Sequence, residues 1–158
     1  MLSVLIAAGL AIGGADTCTM QPPSLPIERL QQSRDVIATT IDQDRGRASV
    51  LLKDGRLLRV AAMGCLHSGM SAVLWLFPER PQDSHPRWQH VAEELSRLVF
   101  PDDVHALLAQ ALAQSSFVAE DTATGLIARI LTPEDVSIEV EVVRLTLGTL
   151  VTITYAYH

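Results

Sequence analysis

Apolar and polar positions alternate along two segments of the C-terminal third. In residues 136–142, Val and Ile alternate with Ser137, Glu139 and Glu141, and residues 151–157 place Thr and Ala between Val, Ile and Tyr. A period of two is typical of a strand with one buried face. The sequence therefore predicts two half-buried strands here, with a turn at Gly148 and a further strand over residues 126–131.

The N-terminal half shows a second group of strand patterns. β-branched residues are concentrated in residues 35–41, and the segments 49–53 and 56–61 flank Asp54-Gly55, a dipeptide typical of a tight hairpin turn. The apolar segment 71–77 is typical of a buried strand. These features predict a three- or four-stranded antiparallel meander, preceded by a proline-containing lead-in and one short helical turn.

Between the two groups of strands the period changes to that of a helix. Apolar residues recur at helical spacing from Trp88 to Val99, and charged residues occupy the other side. Pro101 ends this helix, and Asp102 is expected to cap a second one with an apolar side ending at Leu112. The linker is short, so we expect a helix hairpin. The predicted fold class is α+β: an antiparallel β-meander, a helix hairpin, then C-terminal antiparallel strands, with one disulfide.

The first fifteen residues, MLSVLIAAGLAIGGA, carry no charged side chain. Their apolar run is too short to span a bilayer, and the small residues Gly13 and Ala15 before Asp16 fit a signal-peptide cleavage site. We predict a signal peptide over residues 1–15, a single α+β domain over 16–158, a periplasmic or secreted location and no stable membrane span after cleavage. The alternative is a buried N-terminal strand or helix.

The chain has two cysteines, Cys18 and Cys65. An even number in an exported protein favours a disulfide, which would stabilise the fold by roughly 4 kcal/mol in the chain-entropy model. The alternative is a catalytic Cys65, with His67 as its base. That use would leave Cys18 unpaired in an oxidising compartment.

The acidic composition bears on the class of partner. The formal net charge is −6, which argues against nucleic acid as a ligand and favours a basic protein partner through faster encounter. Candidate contact residues are acidic pairs on one strand face and on an expected loop, together with one histidine near the predicted disulfide. They are Glu139 and Glu141 on the strand, Glu120 and Asp121 on the loop, and His67. An ordinary solvated surface is the alternative interpretation of the acidic pairs.

Motifs for cofactor or metal chemistry are missing from the sequence. His85 and His90 lie five residues apart and miss the i,i+4 spacing of helical metal ligands, and no HExxH, CxxC, GxSxG or phosphate-loop pattern occurs. We therefore predict no catalytic residue, no metal and no cofactor.

One stretch resembles a known kind of protein. The run Leu51-Leu-Lys-Asp-Gly, followed by Val60 and by Gly64-Cys65-x-His67-x-Gly69, resembles small exported proteobacterial inhibitor or immunity proteins that act against cell-envelope toxins. The resemblance implies a protective binding role, with Cys65 as a disulfide partner. We therefore expect a periplasmic protein that inhibits a toxin or lysozyme-like hydrolase. The alternatives are a non-inhibitory accessory subunit of an envelope or secretion complex, and an exported hydrolase that uses Cys65 and His67.

Overall fold

Eight strands in one antiparallel sheet, together with three helices, form the part of the chain that the structure, a computed structural model, describes: residues 20–76, 88–132 and 135–158. The α+β class is therefore confirmed, and the sheet dominates the fold. The elements in chain order are α1 Ile27–Gln32, β1 Val36–Asp42, β2 Arg47–Leu52, β3 Leu57–Met63, β4 Ser68–Leu76, α2 Trp88–Val99, α3 Asp102–Gln114, β5 Phe117–Thr122, β6 Gly125–Ile130, β7 Val136–Leu145 and β8 Gly148–Tyr157.

The strand order is β1-β2-β3-β4-β8-β7-β6-β5. In each half of the chain, helical structure (α1 in the first half, α2 and α3 in the second) is followed by a four-stranded meander. The last strands of the two meanders, β4 and β8, pair at the centre. The central register places Ala72 opposite Ile153. Where β4 passes closest to β8, only glycine fits at position 69, because a Cβ there would lie 2.1 Å from the carbonyl oxygen of Tyr155.

The core lies between one face of the sheet and the helices. Alternate residues of every central strand point into it, as the period-two patterns predict. α2 adds the apolar side that its helical spacing predicts. The largest fully buried side chains are Tyr155, Phe100, Leu30, Leu52, Leu58, Met70, Leu74, Leu95, Leu108, Ile138, Ile153 and Val50.

Three contacts fix the helices to one another and to the sheet. The ring of Phe100, between α2 and α3, meets Tyr155 of β8 edge to face at a centroid distance of 4.7 Å. Ser96 of α2 lies 2.8 Å from Nδ1 of His105 in α3. Arg29 of α1 donates to the carbonyl oxygen of Phe100 and pairs with Asp102 at 2.7 Å. Because Arg29 reaches the end of α2 and the start of α3 together, it holds all three helices.

Some details of the sequence prediction were wrong. Residues 120 and 121 were expected in a loop, but they belong to β5, an edge strand. Asp102 does not cap α3: it is the first helical residue, Pro101 occupies the N-cap position, and no side-chain cap hydrogen bond forms. Its carboxylate still lies in the first helical turn, where negative charge is favourable. α2 and α3 are consecutive and in contact, and the antiparallel hairpin expected of them stays a prediction.

The lead-in before α1 runs beside the segment that follows β3. Met20 and Cys65 form an isolated antiparallel bridge, with N–H···O distances of 3.0 and 2.9 Å in the two directions. Ser68 Oγ donates to the carbonyl oxygen of Gln21 at 2.9 Å. The predicted signal peptide and Cys18 lie outside the described residues. Within those residues, no helix is long and apolar enough to span a membrane.

Candidate functional site

The helices cover one face of the sheet, and the other face, here called the open face, carries the side chains that alternate with the core. Residues that pair across the strands form rows on this face. Three of these rows cross the four central strands. From β3 through β4 and β8 to β7, they read Leu57, Trp75, Leu150, Val143; then Arg59, Val73, Thr152, Glu141; then Ala61, Ser71, Thr154, Glu139.

A chain of three polar side chains lies at one end of the open face. His158 Nε2 is 3.0 Å from Ser137 Oγ, and His158 Nδ1 is 3.0 Å from His67 Nδ1. The two imidazole rings meet edge to face at a centroid distance of 4.5 Å. One His must donate and the other accept through its Nδ1, so the bond requires at least one of the two rings to be neutral.

An ion-pair network lies beside this chain. The Arg129 guanidinium is 3.2 Å from Glu139 and 3.3 Å from Glu120, on strands either side of its own. Arg129 and Glu139 line a surface pocket of about 490 Å³ with Ser137, Thr154 and His158. Since one guanidinium meets two carboxylates, one of their two negative charges is neutralised and a net negative charge remains on this part of the face.

The structure brings together some of the predicted contact residues and separates one. His67, Glu139 and Glu120 belong to the two adjoining networks, and Glu141 lies one row further along β7 on the same face. Asp121 pairs with Leu126, which packs against the core, so the alternation along β5 turns Asp121 away from the open face. Asp121 therefore does not share a surface with the other four.

Sequence reasoning missed two residues of the site, Arg129 and His158, and named Ser137 only as a neighbour of the glutamates. Arg129 alternates with the apolar residues of β6, a signal that places it on the open face. No comparable signal joins His158 to His67, because the contact depends on the pairing of β4 with β8 across 91 residues of sequence.

Two kinds of chemistry fit the arrangement. The order Ser137–His158–His67 is that of a nucleophile, a base and a group that orients the base. All three residues are exposed, so electrostatic stabilisation of a transition state would be weak there. The second possibility is binding, because polar and apolar groups lie side by side on a rigid sheet. In the described ranges, no cluster of three or more His, Cys, Asp or Glu could hold a metal ion.

Comparison with known proteins does not narrow these possibilities. No family model, no curated protein and no solved structure matches the chain.

Proposed function

We propose that the chain is an exported binding protein that inhibits a toxin or lysozyme-like cell-wall hydrolase, and that the open face is its binding surface. The observation that carries the proposal is the convergence of His67, Glu139, Glu120 and Glu141 on this one face. A sheet face is rigid before binding, which lowers the entropy cost of association.

The composition of the open face suits a protein surface as the ligand. A row of large apolar side chains adjoins the charged rows. Leu57 at the β3 end of this row and Leu51, its partner on β2, are 41% and 39% exposed. Interfaces combine such an apolar centre with a polar rim. The carboxylates near Arg129 would face a basic partner, which a net charge of −6 also favours through electrostatic steering.

The predicted Cys18–Cys65 disulfide forms part of the proposal. Cys18 stands two residues before Met20, and Met20 pairs with Cys65 through two backbone hydrogen bonds. The bridge would then fix the lead-in next to His67 and thereby stabilise one border of the binding surface.

Charge reversal at the open face tests the binding role. The variant Glu120→Lys/Glu139→Lys should associate with a basic envelope hydrolase at least about tenfold more slowly at low salt, because attraction becomes repulsion. Its rate should also depend less steeply on ionic strength. Binding kinetics would be measured against a panel of lysozymes and envelope-targeted toxins, together with survival of cells that express each toxin.

The matched control is Glu28→Lys/Glu93→Lys, which makes the same change in net charge at exposed positions on α1 and α2. An equal loss in both variants would contradict a role for the open face. Absence of any complex and of any protection would contradict inhibition, and recovery of the chain with an envelope assembly would then favour the accessory subunit.

A second candidate function is favoured by the Ser137–His158–His67 chain. As a hydrolase, the protein would use Ser137 as nucleophile in place of Cys65, which was the nucleophile of the sequence-based alternative. Ser137→Ala should then abolish turnover of an activated ester, whereas Ser71→Ala should keep it. Imidazole alone cleaves activated esters slowly, so some hydrolysis is expected even without a serine nucleophile. An equal rate of ester cleavage in wild type and Ser137→Ala would therefore exclude the hydrolase function.

A further inference from the structure

One row of the open face carries a positive charge on one half and a negative charge on the other, and neither is paired within the described residues. Arg59 on β3 and Glu141 on β7 belong to the same row, and both are exposed. Neither forms an ion pair with any residue of the described ranges. Three strand spacings separate them, which is about 14 Å and too far for contact. The row therefore has a positive end and a negative end, each without a counter-charge.

The neighbouring row is apolar on both halves. Leu57 on β3 and Val143 on β7 lie at its ends, and Trp75 on β4 and Leu150 on β8 lie at its centre. Leu145, the last residue of β7, continues the apolar surface, and Leu147 follows it in the turn before β8; they are 43% and 73% exposed. A surface of this kind is energetically unfavourable in water and is typical of an interface.

We propose that the open face pairs with the open face of a second copy of this chain. The two-fold axis runs parallel to the strands, between β4 and β8. Rotation about such an axis exchanges the two halves of the sheet and leaves each row at its own height. Arg59 then faces Glu141 of the second copy, and the reciprocal pair forms on the other side of the axis.

The same rotation matches the apolar row to itself. Leu57 comes to lie over Val143 of the second copy, and Trp75 comes to lie over Leu150. The two sheets would pack aligned, about 10 Å apart, as in a β-sandwich. At that spacing the long side chains of Arg59 and Glu141 can meet, because each extends several ångströms from its sheet.

The area available is sufficient for a stable dimer. The six central strands are six to ten residues long; taken at about seven residues each, they cover about 29 Å by 23 Å, or about 660 Å² on each copy. The total of about 1,300 Å² lies within the range of roughly 1,200–2,000 Å² for specific interfaces. The outer strands β1 and β5 are left out of this area because the sheet twist turns them away from the partner.

The dimer is independent of the proposed inhibition, since it needs no other protein. It does concern the same surface: a second copy would cover the rows that hold Glu139 and Glu141. Self-association and partner binding would therefore exclude each other, and the free chain would keep its apolar row out of water until a partner displaces the second copy.

A charge exchange tests the dimer on the purified chain alone. Sedimentation equilibrium would give the dissociation constant for wild type, Arg59→Glu, Glu141→Arg and the double variant. Each single variant sets like charges against each other twice, so its dissociation constant should rise at least tenfold. The double variant restores both pairs with their signs exchanged and should return to within about threefold of wild type.

Controls separate this result from changes in folding or net charge. Glu93→Arg on α2 makes the same charge change as Glu141→Arg on the helix side of the molecule and should leave the dissociation constant unchanged. Thermal unfolding of all variants would check that the exposed substitutions keep the fold.

A wild type that stays monomeric up to high concentration would overturn the dimer. A dimer unaffected by both single variants, or a folded double variant that is not restored, would also overturn this interface, and none of these outcomes bears on inhibition.

Discussion

Replacing Gly69 with alanine is expected to cost more than about 3 kcal/mol of stability, enough to unfold a marginally stable domain. The added Cβ would lie 2.1 Å from the carbonyl oxygen of Tyr155 and 2.9 Å from Cα of Ala156. Both are backbone atoms of β8, so β4 and β8 would have to separate where the two meanders join. Urea unfolding followed by circular dichroism would measure the loss.

Gly55→Ala provides the matched comparison. Gly55 lies in the β2–β3 turn with φ +83°, and a Cβ there would meet no atom within 4 Å. Its substitution therefore costs only the strain of left-handed backbone, about 1 kcal/mol. Equal effects of the two substitutions would show that the close approach of β4 to β8 does not limit stability.

The second large effect is expected at alkaline pH. Tyr155 is fully buried, and burial, with smaller contributions from Tyr157 and Asp103, raises the pKa of its hydroxyl to about 12. The unfolded chain loses this proton near pH 10. The stabilisation is thus fully present below pH 10 and is lost as pH rises to about 12, a decrease of roughly 2–3 kcal/mol in the free energy of unfolding.

The composition makes this pH effect easy to isolate. The chain has two tyrosines and a single lysine, Lys53, so few other groups titrate in the same range. Tyr155→Phe should flatten the decline between pH 10 and 12. At neutral pH it should leave stability unchanged or raise it slightly, because the buried hydroxyl has no hydrogen-bond partner among the described residues.

Tyr157→Phe is the control for the alkaline experiment. Burial and the nearby Asp103 raise the pKa of Tyr157 as well, so this variant should reduce the decline without removing it. Chemical unfolding at several pH values, with the near-ultraviolet signal of tyrosinate, measures both variants. An unchanged decline in Tyr155→Phe would contradict the assignment.

Local patterns predicted most of the elements, because the period of a strand or a helix shows in the spacing of apolar residues along a short segment. The segment 136–142, for example, lies within β7, and the segment 126–131 matches β6 except for its last residue, Leu131. β5 escaped prediction because its residues are mostly exposed and include Glu120 and Asp121, so it lacks an apolar alternation. An edge strand needs only one neighbour and no buried face, and charged side chains on it also discourage pairing with other chains.

The candidate site could be predicted only in part, for a related reason. Alternation shows that Glu139 and Glu141 share a face. It does not show that Arg129 neutralises Glu139, because the register of β6 against β7 comes from turns and core packing. The contact of His67 with His158 depends on a strand pairing between distant parts of the sequence, which no local pattern contains.

The central pairing of β4 with β8 also has a consequence for how the chain folds. The contacts within each meander are local, whereas Ser71 and Thr154, which meet at the centre, are 83 residues apart. Closing so long a loop is entropically costly, so the halves can form before they join, and the rate-limiting step is expected at their junction. Until that step, each half exposes a long unpaired strand edge rich in Val, Leu and Ile. Expression at low temperature or with a chaperone should therefore raise the soluble yield, and by more than substitutions on the outer edge strands β1 and β5.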